Sequence, residues 1–187
     1  ESPVPVDIIG ADELSKNGST DMLDMLQASV PSFNVRQQPI SDAASFIRPI
    51  NLRGLSSDST LILLNGKRRH RASVIAFQGG GVNDGAQGPD ISVIPSVALK
   101  QVEVLRDGAA AQYGSDAIAG VINIITKKDF DGLEVNSFSA DSSEGGAGRQ
   151  NVDITYGKNF DAGNAWVSVG LANQDHLRSS ERDFATN

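Results

Sequence analysis

Residues 101–128 read QVEVLRDGAAAQYGSDAIAGVINIITKK. Two strand-like runs, Val102–Leu105 and Gly120–Thr126, enclose small residues: three consecutive alanines, Ala109–Ala111, and glycines at 108, 114 and 120. A tight hairpin would need only about two to five residues in the connection, and a regular helix would not be interrupted by glycine so often. The second run is apolar on both faces, with Val121 and Ile125 on one and Ile122 and Ile124 on the other. Strands covered on both sides read this way, so Gly120–Thr126 is expected at the centre of a covered sheet, beside Val102–Leu105. The alanines allow a short helical turn of little bulk, and Tyr113 is expected to supply the one large contact of the connection.

The bounds around this stretch are consistent with it. A chain of 187 residues fits one domain, or one domain and a piece of another. Apolar residues at 39% with 21% charged sustain a globular core, while 5% aromatics and 19 glycines favour a turn-rich fold containing β-structure. The net charge of −7 argues against non-specific nucleic-acid binding and provides no polybasic membrane anchor. Cysteine is absent, which removes disulfides, thiolate metal sites and cysteine nucleophiles together. No apolar run approaches the roughly 20 residues of a transmembrane helix, whereas a membrane β-strand leaves a much weaker hydropathy signal. The chain starts at Glu1 without methionine or a signal-peptide core, and its start is read as processed or truncated.

Upstream, ESPVPVDII reads as an edge strand or extended arm. ADELSKNG reads as a helical turn closed by Gly18. Residues 20–29 are expected to form a helix with Thr20 as N-cap, Asp21 and Asp24 at its start, a core stripe of Leu23, Leu26 and Val30, and Pro31 as its stop. Short strands follow in FNVRQ, INLRGL and TLILLNGKR, the last with an Asn65-Gly66 turn. Residues 76–90 are too glycine-rich for regular structure, and IPSVALK forms a turn leading into VEVL. From Asp129 the pattern becomes three alternating segments, LEVNSFSAD, RQNVDITYGKN and NAWVSVGLAN, as in an antiparallel meander; an ordinary soluble hairpin shares the pattern. The division expected is an α+β domain over 1–128, a small mixed sheet with short helices, followed by antiparallel strands over 129–187.

Catalytic and metal motifs fail on spacing. GGGVND lacks the order of a dinucleotide loop, Asn65-Gly66-Lys67 lacks the upstream glycine of a P-loop, and no nucleophile elbow is present. His70 and His176 lie in different segments and share no ligand spacing. Asp12/Glu13 and Asp21/Asp24 read as helix-start charges, and Asn17-Gly18-Ser19 matches a glycosylation triplet of a kind that arises often by chance. Nothing supports an enzyme or a resident cofactor, and weight moves to binding and transport.

The ordered run SPVPVDII, a helix ending in proline, NLRGL, LILLNGKR and VEVLRDGAAAQYGSDAIAGVINIITKK resembles the plug domain of TonB-dependent outer-membrane receptors over about residues 2–128. Glu103, Arg106, Gly108, Tyr113-Gly114, Ala119-Gly120 and Val121–Ile124 carry it most closely. The resemblance implies a plug in the lumen of a Gram-negative outer-membrane β-barrel, a scarce nutrient as ligand (siderophore, cobalamin, sugar or peptide), and TonB as the partner that uses the proton-motive force. The TonB box would lie upstream of Ser2, so it is expected to be missing here. Residues 129–187 suffice for about four or five strands where barrels start at about eight, which implies the first strands of an incomplete barrel. The same resemblance implies that Arg53 and Arg106 latch the plug to barrel glutamates; the alternative is two ordinary strand-end arginines, and placement far apart on opposite faces would contradict a shared latch. It further implies ligand contacts from Arg36, Gln37 and Gln38, from Ser57 and Asp58, and from Arg69, His70 and Arg71, suited to an anionic or hydroxyl-rich ligand. The alternative there is a basic loop that serves solubility. Strands 132–174 are expected to expose edges and an apolar face, and so to associate with a second copy or be disordered. The competing reading is a free-standing soluble ligand-binding module with no transport role.

Overall fold

The computed structural model describes residues 6–19, 21–35, 47–77, 81–106, 109–143 and 145–181, in two compact units, Glu1–Lys127 and Lys128–Asn187. In the first, strands β1 (Val6–Gly10), β4 (Thr60–Leu64), β5 (Lys67–Arg68), β6 (Leu99–Leu105) and β7 (Gly120–Thr126) form one sheet in the order β1-β6-β7-β4-β5. Strand β4 runs parallel to β7 and every other pairing is antiparallel, so the sheet is mixed. The central place of β7 follows from its apolarity on both faces.

One face packs Ile62, Val102, Val104, Ile122 and Ile124 against helices α1 (Ala11–Ser15) and α2 (Met22–Ser29) and the small ladder of β2 (Phe33–Val35) with β3 (Ile50–Leu52). Leu23, Leu26 and Val30 are buried there as the helical spacing requires. The cap differs from expectation. Thr20 lies outside the described residues, and Asp21 caps α2, its Oδ1 accepting from the N–H groups of Leu23 at 2.9 Å and Asp24 at 3.2 Å. A carboxylate at that position meets both free amides and the positive end of the helix. Arg48, largely buried, pairs with Asp21 and reaches Asp24 at 3.6 Å.

The other face is covered by residues 109–119 of the connection. Helix α3 (Ala109–Tyr113) and a 3-10 turn at Ser115–Ala117 lay Ala109 and Ala117 on Leu61, Leu63 and Val121. The expectation for Tyr113 is not met: the residue is 36% exposed, and the buried contacts of the connection come from Ala109 and Ala117. Small side chains let this segment pack closely on the sheet. The Asn65-Gly66 turn has φ of 51° and 78°, as a tight two-residue hairpin requires. Asn65 Oδ1 also accepts from Thr126 N at 3.0 Å, tying the hairpin to the end of β7.

The second unit is a meander of β8 (Gly132–Ala140), β9 (Arg149–Phe160) and β10 (Gly163–Gln174), with β9 in the middle. Its register aligns Leu133, Tyr156 and Val167, then Val135, Ile154 and Val169, then Val152 with Leu171. All eight are exposed, from 44% at Val152 to 72% at Leu171. The alternate positions form a polar face of Glu134, Thr155 and Ser168, then Asn136 and Asp153, with Thr155 and Ser168 hydrogen-bonded at 2.9 Å. Among the described residues no helix is long and apolar enough to cross a membrane.

Candidate functional site

Two groups of polar residues in the first unit stand out. The first is Arg53 with Arg106. Arg53 follows β3 with a positive φ of 56°, and Gly54 follows with 73°; this sharp turn carries the side chain towards the end of β6. Its Nη1 donates to the backbone carbonyl of Arg106 at 2.7 Å. The Arg106 guanidinium pairs with Asp7 on edge strand β1. The two arginines are therefore neighbours, not residues on opposite faces.

The second is an open pocket of ≈ 220 Å³ lined by Ser57, Asp58, Arg69 and Arg71 from the expected ligand contacts, and by Thr60, Arg68, Gln87 and Asp116 besides. His70 is exposed and is not among the lining residues. Arg36, Gln37 and Gln38 lie outside the described residues. The pocket has a positive balance, three guanidiniums against two carboxylates. Arg68 is engaged on both sides, with Asp116 and with the carbonyl of Tyr113, and so clamps α3 and the 3-10 turn to β5. Arg71 reaches Asp58 only at 3.8 Å, and its side chain is 58% exposed.

Residues 81–90 of the glycine-rich segment are held by specific contacts. Asn83, buried, accepts from Ser57 N at 2.8 Å and donates to Pro49 O at 3.3 Å. Gln87 donates from its backbone to Asp58 Oδ1 at 3.1 Å and from its side chain to Ala72 O at 2.7 Å. Gly88 lies so close to Ser57 that a Cβ there would fall 2.6 Å from the serine Cβ. These contacts bury Ser57 to 1% exposure. Sequence reasoning missed Thr60, Arg68, Asn83, Gln87 and Asp116. Only Thr60 left a signal, as the polar residue opening the apolar run TLILL.

The profile of the TonB-dependent Receptor Plug Domain family matches residues 1–121. The ferric enterobactin receptor PirA of Pseudomonas aeruginosa is 34% identical over 149 residues, which cover 78% of this chain and 20% of that protein. The ferrienterobactin receptor of Escherichia coli is 36% identical over 123 residues, covering 66% and 16%. The chain thus spans about a fifth or less of the length of these curated relatives. Among solved structures, the siderophore receptor PirA from Acinetobacter baumannii aligns over 90% of this chain and 24% of its own, with a TM-score of 0.66 at 24% identity, a likeness of fold.

Proposed function

Because the chain belongs to the TonB-dependent receptor plug-domain family, we propose that it is the plug and the first barrel strands of an outer-membrane receptor that admits a scarce nutrient with the help of TonB and the proton-motive force. The setting is the Gram-negative outer membrane, and the role is that of a receptor. A ferric siderophore of the enterobactin kind is the ligand favoured by the relatives.

The observation that carries the reading is the meander after the plug. Three strands of 9, 12 and 12 residues alternate an exposed apolar row with a polar one, at the length a tilted membrane strand needs. A free-standing soluble module would not leave so continuous an apolar band bare. In this reading Arg53, bonded to the Arg106 carbonyl, and Arg106 present their guanidiniums to carboxylates of the barrel wall, with Asp7 as the partner that Arg106 has locally. Ser57, Asp58, Arg69 and Arg71 contribute ligand contacts.

The test is uptake of radiolabelled ferric enterobactin by Gram-negative cells that carry the parent gene as their only receptor for it. Accumulation that stops when the proton-motive force is collapsed, or when TonB is deleted, is expected. Uptake indifferent to both treatments, or none for any ferric siderophore tried, would overturn the proposal.

A further inference from the structure

Three polar atoms at the pocket are buried and have no hydrogen-bond partner among the described residues: Ser57 Oγ, Thr60 Oγ1 and Arg69 Nε. Ser57 and Thr60 are 1% and 3% exposed, and all three residues line the same pocket. Each of these groups can donate a hydrogen bond, and a buried donor without an acceptor is destabilising. Chance does not readily gather three of them, and the burial is constructed: Gly88 presses on Ser57, while Asn83 holds the Ser57 amide.

The charges specify what would satisfy them. Arg68 is committed to Asp116 and the Tyr113 carbonyl. Arg71 has only a long, exposed contact with Asp58, of a kind that holds a side chain weakly. Three guanidiniums against two carboxylates leave one positive charge over. An acceptor-only group carrying one negative charge meets both requirements, and that describes a carboxylate better than a phosphate dianion.

We propose that this pocket is a carboxylate-binding site, in which Ser57, Thr60 and Arg69 donate hydrogen bonds and Arg71 turns from Asp58 to supply the second guanidinium. The inference rests on the reading of Ser57, Asp58, Arg69 and Arg71 as ligand contacts and narrows it to one chemistry. The carboxylate can belong to a small molecule or to a side chain elsewhere in the parent polypeptide.

The probe is acetate, titrated at constant ionic strength against chloride, with the Arg69 Nε–Hε resonance of the isotope-labelled 187-residue chain as readout. A saturable shift is expected. Its midpoint should rise about tenfold or more in Thr60→Val, and likewise in Ser57→Ala, as loss of one charge-assisted hydrogen bond predicts. Thr60→Val also guards against a folding artefact: it should melt no lower than the parent chain without acetate and lose the stabilisation that acetate gives. In the intact receptor, an Arg69 resonance already at its acetate-bound position assigns the carboxylate to the polypeptide; one that moves only on adding acetate assigns it to a small molecule. A linear shift, an equal response to chloride, or a titration unchanged in both variants would overturn the site. Siderophore uptake and this titration can fail independently, so the two readings are separable.

Discussion

Gly120 sits where the small-residue connection re-enters the sheet, at φ +141°, in a region that L side chains rarely adopt. A Cβ there would stand 2.6 Å from the Leu105 carbonyl oxygen and 2.9 Å from Leu52 Cδ2. Gly120→Ala should therefore destabilise the first unit by about 1–3 kcal/mol, read as a lower midpoint in chemical denaturation. At Asp131 the expected effect is one of pH. Its carboxylate accepts from Asn159 N at 3.0 Å, the main cause of a pKa below the ordinary value of 3.8, with Lys158 nearby. A depressed carboxyl contributes stability above its unfolded pKa and loses it as pH falls through the folded one. Titration of its side-chain carbon signal should place the Asp131 midpoint below that of a free aspartate, and Asp131→Asn should make the second unit less sensitive to acid. Legibility at this scale was uneven. Gly120 could be picked out because glycine before an apolar strand signals a special backbone. Arg68 could not, because nothing distinguishes the arginine that clamps Asp116 from the one beside it until the chain has folded.

Residues 109–119 of the connection behave as a cover held at its margin. Ala109 and Ala117 contribute little buried area each, and Arg68 fixes the far side through Asp116 and the Tyr113 carbonyl. Arg68→Ala should free this element before the sheet beneath it. Amide exchange at Gly114 and Ala117, whose N–H groups bond Ala110 and Gly114 carbonyls, should quicken by about fivefold or less, since an exposed ion pair contributes little. Amides of Ile122 and Ile124 should exchange at an unchanged rate; equal acceleration there would show that cover and sheet open together. The strands were legible because their periodicity is a local property: the doubly apolar run of β7 gave its central place. The 81–90 segment was not, since Asn83 and Gln87 bond to Pro49, Ser57, Asp58 and Ala72, partners distant in sequence that no local pattern encodes.

At the scale of the molecule, the mixed sheet with its helices and the antiparallel strands were both readable, and the family match bears out the resemblance seen in the ordered plug motifs. The pocket was readable only in part, because it gathers Ser57, Arg69, Gln87 and Asp116 from separate stretches. The exposed rows on β8, β9 and β10 predict the behaviour of the isolated chain. In detergent-free buffer it should elute and scatter as an assembly of several copies, and detergent should disperse it. The central claim, that these strands begin a membrane barrel attached to a plug, is tested most directly by nitroxide labels at neighbouring positions 135 and 136 of the parent receptor in its outer membrane. A label at Val135→Cys should collide readily with membrane-dissolved oxygen and little with a water-soluble nickel relaxant, and one at Asn136→Cys should not share that lipid signature. Equal exposure of both positions to the aqueous relaxant would contradict the account.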